Sequence, residues 1–170
     1  SLSKAHNMSG WRIGMLAGDR ELVAEVLKVK SQMDSGMFRP MQLAAVKALA
    51  QGPEWFSSLN EEYLRRKVAA GRIFSLLGVE YDRDSSGLFL WGHVSRDNAF
   101  VASGSGACGR QADEEKSLGE RLSDRLLYDA GVFITPGFIF GKNGRDYIRI
   151  SLCAKPEVLA EAERLIGEIL

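Results

Sequence analysis

Hydrophobic positions recur along this chain with two periods. Leu22, Val23, Val26, Leu27 and Val29 repeat at helical spacing and predict a helix over 19–32. Asp19 is a good side-chain acceptor for its first turn, Glu21 follows inside it, and Lys28 and Lys30 stand near its end, as the helix dipole favours. Pro40 occupies a first helical position, and Gln42 to Ala50 is a run of strong helix formers. Pro53 opens the longest helical pattern, apolar at Phe56, Leu59, Tyr63, Val68, Ile73, Phe74 and Leu77 and terminated at Gly78. Its charge run Arg65-Arg66-Lys67 reads as a solvated face. Ser117 with Glu120 three residues on has the form of a capping box. The helix it starts carries Leu118, Leu122 and Leu126 on one face and closes at Gly131. Pro156 opens the last helix, which turns Leu159, Ala162, Leu165, Ile166 and Ile169 inward.

The second period is two. Leu88 to Val94 reads as a strand on its aromatic and aliphatic content. Shorter strands are expected over 12–17, 79–81 and 132–135, and 135–141 is a turn-rich approach to the next strand. In Tyr147-Ile148-Arg149-Ile150-Ser151-Leu152, alternation puts Ile148, Ile150 and Leu152 on one face and Tyr147, Arg149 and Ser151 on the other. Arg149 therefore faces solvent or a cleft. Helices and short strands mixed in this way describe an α/β chain.

Charge and composition remove several classes of function. Lys+Arg and Asp+Glu both number 22, so the formal net charge is zero. Nothing here forms a nucleic-acid footprint or a polybasic membrane patch. No apolar run approaches the roughly 18 residues of a membrane span, and no secretory signal pattern opens the chain. Cys108 and Cys153 lie far apart and form neither a metal-ligand spacing nor a disulfide framework. They read as reduced thiols, and a cytoplasmic location is expected. His93 ends an apolar strand and reads as structural. Residues 104–109 spell G-x-G-x-x-G, but charged Arg110 to Lys116 follows where a dinucleotide fingerprint needs an apolar helix. The stretch reads as a mobile loop.

The candidate chemistry begins at Ser1-Leu2-Ser3-Lys4-Ala5-His6-Asn7-Met8-Ser9-Gly10-Trp11-Arg12-Ile13-Gly14. An amine and a cation held close together suit a ligand with both an aldehyde and a phosphate, which fits pyridoxal phosphate held as an imine on lysine. Ser1 to Lys4 followed by Gly10 to Gly14 resembles the lysine motif of class I/II pyridoxal-phosphate aminotransferases of fold type I. The resemblance implies that Lys4 carries the cofactor and acts as catalytic base, and that Ser1 and Arg12 bind the phosphate. His6, two positions from Lys4, is expected to line the pocket without a proton-transfer role.

Pro136-Gly137, Phe140-Gly141 and Tyr147 to Ser151 resemble the same family's C-terminal signature, where the arginine grips the substrate α-carboxylate. That role falls on Arg149, whose guanidinium matches a carboxylate with two parallel hydrogen bonds. The family often has Gly-Glu-Gly before the tyrosine, where this chain has Gly144-Arg145-Asp146. Met33 to Gln42 resembles a loop of the diaminopimelate branch that approaches the neighbouring subunit, which implies a homodimer.

The resemblance covers essentially all 170 residues. It implies the C-terminal part of a longer enzyme, opening partway through a motif. Residues 1–52 would be the end of the cofactor-binding large domain, with its last strand and helices. Residues 53–170 would be an α+β small domain with a short antiparallel sheet packed on helices, 53–78 being a bridging helix. The implied reaction moves an amino group between an L-amino acid and a 2-oxo acid, with no metal, nucleic acid or membrane. A carbon–sulfur lyase of the same fold, or a non-catalytic interaction domain, is the alternative. The resemblance also implies that groups on the cofactor ring come from an N-terminal half, so this chain alone is expected to be inactive.

Overall fold

A computed structural model describes residues 1–102 and 116–169. The chain divides into two compact units, Ser1–Ser58 and Leu59–Leu170.

The first unit is helical. A short helix α1 (Leu2–Ala5) leads through a 3-10 turn (Ser9–Trp11) to α2 (Arg20–Met33) and α3 (Arg39–Leu49). Asp19 caps α2, its carboxylate accepting from the Glu21 and Leu22 N–H groups at 2.9 and 3.2 Å. That accounts for two of the donors a helix start leaves orphaned. Pro40 sits in the first turn of α3, where its missing N–H costs nothing. A small core of Leu2, Met8, Ile13 and Ala45 gathers the unit's beginning onto α3. Leu22, Val26, Val29 and Met33 of α2 and Leu43, Val46 and Leu49 of α3 stay exposed.

The strand expected over 12–17 does not form. Arg12 is in a left-handed turn and 13–17 run irregularly. A strand needs a neighbour to exchange backbone hydrogen bonds with. The regular elements of this unit are all helical among the described residues.

Helix α4 (Pro53–Leu76) has its buried positions, Ala69, Ala70, Gly71, Ile73 and Phe74, in its later part. It ends at Gly78, whose φ of +62° is the left-handed conformation that glycine adopts without strain. Asn98, itself buried, donates to the carbonyls of Leu77 (2.6 Å) and Gly78 (3.2 Å) and accepts from the Phe100 N–H (3.0 Å). The charge run on α4 is not simply solvated. Arg66 pairs with Glu62 and reaches the carbonyl of Leu152 at 3.2 Å, and Lys67 donates to the carbonyl of Ser85 at 2.6 Å.

The second unit holds a four-stranded antiparallel sheet, β1 (Glu80–Tyr81), β2 (Phe89–His93), β3 (Thr135–Pro136) and β4 (Tyr147–Ser151), in the order β1-β2-β4-β3. The strand expected over 132–135 is shorter and starts only at Thr135. Helix α5 (Ala99–Ala102) precedes α6 (Leu118–Ala130), and α7 (Pro156–Gly167) follows the sheet. Leu90, Ile148 and Ile150 of the sheet, Ile73, Phe74 and Leu77 of the α4 region, Leu122 and Leu126 of α6, and Leu159 and Ile166 of α7 share one core. The alternation of β4 is as expected: Ile148 and Ile150 are buried, while Tyr147, Arg149 and Ser151 are half-buried on the other face.

At the start of α6, Ser117 stands at the cap but its hydroxyl makes no capping bond. The Gly119 N–H, a donor such a cap could serve, goes to the carbonyl of Arg145 at 3.1 Å. The expected capping box is thus replaced by a contact from a distant part of the chain. Gly131 closes α6 with φ +67°. The G-x-G-x-x-G stretch at 104–109 and Cys108 lie outside the described residues. Among those residues, no helix is long and apolar enough to cross a membrane and no cluster of side chains suits a metal ion.

Candidate active site

Residues 1–14 fold back on themselves. The Leu2 N–H donates to the carbonyl of Ile13 at 3.3 Å, and both side chains are buried. Gly14 lies so close to Ser1 that a Cβ added to it would stand 3.2 Å from the Ser1 Cβ. The carbonyl of Leu2 accepts from the N–H groups of His6 and Met8 at 3.2 and 3.3 Å. Asn7 and Arg12 take positive φ, 54° and 51°, which lets the chain reverse in so few residues. The result brings the backbone of 12–14 alongside the start of α1. Ser1, Lys4 and Arg12 are all exposed around this fold-back.

The Ser1 hydroxyl accepts from the Ser3 N–H at 3.4 Å, and the Arg12 guanidinium donates to the carbonyl of Ser9 at 3.0 Å. No carboxylate occurs before Asp19. The serines and Arg12 of this segment supply hydroxyl groups and a guanidinium, a donor set that fits a phosphate. Lys4 adds an amine that a carbonyl compound can react with. These residues fit pyridoxal 5'-phosphate. When bound, that cofactor supplies an aldehyde for the amine and a ring that takes up electrons from the substrate's α-carbon.

His6 stacks on Trp55, with centroids 5.4 Å apart and planes 17° apart, and meets Phe56 edge-on at 5.5 Å. Its Nδ1 is buried without a hydrogen-bond partner. With Trp11, Lys47, Gln51 and Trp55 it lines a hollow of about 310 Å³. His6 is thus packed by aromatic rings, which fits a lining role.

Arg149 belongs to the second unit. It pairs across the sheet with Trp91 on one side and Thr135 on the other. Its Cζ lies 4.2 Å from the ring centroid of Phe89 and 4.2 Å from that of Phe140. Its Nε is buried and has no acceptor. No ion pair involves Arg149 among the described residues. A guanidinium placed against rings and left without a protein carboxylate can still accept one from a ligand.

Phe140 belongs to the C-terminal signature, but nothing in the sequence places either phenylalanine against Arg149. Phe89 falls on the Arg149 face by strand alternation, but only the β2–β4 register shows it diagonal to Arg149. Phe140 ends a 3-10 turn (Gly137–Phe140) whose placement depends on a second turn (Lys142–Gly144). Glycine is required in both. A Cβ on Gly137 would collide with the carbonyl oxygen of Gly144, and one on Gly144 with the carbonyl oxygen of Gly137. Phe140 also packs edge-on to Trp91 at 5.6 Å, and Trp91 stacks on Tyr147 at 5.3 Å and 14°. His93 packs against the same Tyr147 ring at 5.1 Å.

An adjoining groove of about 560 Å³ runs between β4 and α7, lined mainly by apolar residues such as Val132, Ile134, Val158 and Leu165, with Glu157 and Glu161 among its polar members. The Arg164 guanidinium, hydrogen-bonded to Glu161, holds that carboxyl below the usual glutamate range.

Comparisons with known proteins agree in one direction. A family model described as aminotransferase class I and II matches residues 1–166. An LL-diaminopimelate aminotransferase from Aquifex aeolicus (strain VF5) is 36% identical over 169 residues, 99% of this chain and 39% of the relative. Another, from Oleidesulfovibrio alaskensis, is 33% identical with the same coverage. The structure of apo-BacF from Bacillus subtilis superimposes with a TM-score of 0.79 at 29% identity, over 99% of this chain and 40% of that one. The chain spans about two fifths of the length of the curated relatives it matches.

Proposed function

The chain belongs to the aminotransferase class I and II family, and on that premise we propose that it forms part of an enzyme that moves an amino group between an L-amino acid and a 2-oxo acid. Pyridoxal 5'-phosphate is the proposed cofactor. The observation that carries this reading is the fold-back of residues 1–14, which lays Ile13 and Gly14 against Leu2 and Ser1 in the segment that carries Ser1, Lys4 and Arg12. In it, Lys4 is the residue that holds the cofactor, and Ser1 and Arg12 are the donors to its phosphate.

The chain's own residues then have separate tasks. Lys4 holds and returns a proton at its Nζ. Arg12 fixes the phosphate end by charge. Arg149 takes the substrate carboxylate, its planar fork matching the two oxygens. The relatives' name suggests LL-diaminopimelate as amino donor, which fits the likeness of residues 33–42 to that branch. The first unit would be the end of the large domain and the second the small domain, in a homodimer.

The test is covalent trapping. The protein incubated with pyridoxal phosphate and reduced with borohydride should carry the cofactor on the peptide containing Lys4, and Lys4→Ala should carry none. Cofactor fixed equally to the Lys4→Ala variant would refute the assignment. In the full-length enzyme with the cofactor bound, transfer to a 2-oxo acid marks an aminotransferase, whereas ammonia released by elimination marks a lyase.

A further inference from the structure

We propose that Phe89 and Phe140 are positioning residues that restrict Arg149 to end-on pairing with a carboxylate, through its two terminal nitrogens. The proposal rests on the reading that Arg149 takes the substrate carboxylate, and adds how it does so.

A guanidinium offers a carboxylate two kinds of paired edge. One joins Nε to a terminal nitrogen; the other joins the two terminal nitrogens. In this structure the first kind is closed. Nε is buried, out of reach of solvent, and has no acceptor. Both rings lie within cation–π distance of the guanidinium, each centroid 4.2 Å from Cζ, so both engage it through their π faces. The terminal edge is what remains for an incoming anion.

The rings are themselves held. Phe89 lies on β2 two residues before Trp91, the cross-strand partner of Arg149. Phe140 is fixed edge-on by Trp91, and Trp91 by its stack on Tyr147. The close approach of Gly137 to Gly144 sets the turn that carries Phe140. Rings in place of water around a cation lower the local dielectric, so a carboxylate that reaches the open edge is held more strongly and in one plane. Fixing the plane fixes which way the substrate's α-carbon points.

The experiment is NMR on the whole chain with 15N-labelled arginine, using succinate as the probe. The Arg149 Nε–H is expected to exchange slowly with water and to shift little on titration, while the terminal N–H signals shift to saturation. Phe140→Leu should remove the ring-current displacement of the Arg149 signals and weaken succinate binding about fivefold. Phe140→Tyr, which keeps the ring, should restore both. A succinate shift led by Nε–H, or unchanged affinity in Phe140→Leu, would overturn end-on restriction while leaving the carboxylate role intact. An Arg149 whose signals ignore saturating succinate would overturn the carboxylate role, and this proposal with it.

Discussion

Gly137 and Gly144 meet back to back: a side chain on either would run into the other's carbonyl oxygen. The two 3-10 turns that contain them are therefore one mechanical unit, and Phe140 at the end of the first inherits its position from the second. Gly137→Ala should lower the unfolding free energy by roughly 1–3 kcal/mol, the usual cost of overpacking a tight contact. It should also shift the Arg149 signals, since Phe140 moves with the turn. Denaturant unfolding measures the first and NMR the second.

Arg12→Gln should weaken binding of pyridoxal phosphate. A charge-assisted hydrogen bond contributes about 1.5–3 kcal/mol, so the loss should be roughly ten- to a hundredfold. Absorbance titration with the cofactor measures it. The same variant should bind pyridoxal, which lacks the phosphate, as the wild type does. A loss that ignored the phosphate would place Arg12 elsewhere.

Asn98→Ala should destabilise the second unit without touching the proposed chemistry. The side chain is buried and makes three hydrogen bonds, to the carbonyls of Leu77 and Gly78 and from the Phe100 N–H. Its removal strands those groups away from water, at a cost of about 1–3 kcal/mol. Thermal unfolding should show a lower Tm, with carboxylate binding unchanged at temperatures where the variant is folded.

Acid should loosen the attachment of α4 to the end of β4. Hydrogen bonds from Arg65 and then Arg66 hold the Glu62 carboxyl below the ordinary glutamate value, against the opposing effect of desolvation. A depressed carboxyl stabilises the fold fully above its unfolded pKa, about 4.3. That contribution fades as pH falls through the lower, folded value. Arg66 also donates to the Leu152 carbonyl, so protonating Glu62 frees the arginine that links the two elements. Wild type and Glu62→Gln should differ in Tm near neutral pH and converge on acidification.

Much of the fold was legible because its determinants are local. Asp19 caps α2 as its residue type suggests, Pro53 and Gly78 bracket α4, and the alternation in β4 puts Arg149 opposite the buried isoleucines. The failures share one cause: the outcome depends on partners, present or missing, that are not local in sequence. Residues 12–17 have no strand to pair with in their own unit. Ser117 caps nothing, because a carbonyl from residue 145 already takes the Gly119 N–H. Arg66 looked like part of a solvated run, yet it reaches across 86 residues to the Leu152 carbonyl. At the candidate site, the lysine and arginine positions could be read from motifs. The two phenylalanines against Arg149 could not, since strand register and paired turns put them there.

The stack of Trp91 on Tyr147, with Phe140 at its edge, also gives the second unit an optical reporter. The chain has three tryptophans, and Trp11 and Trp55 both lie in the first unit. With those two replaced by phenylalanine, emission would come from Trp91 alone, the ring that braces Phe140 and sits across the strand from Arg149. Its quantum yield and anisotropy would then follow, in real time and without any label, how tightly the arginine's surroundings close when an anion arrives.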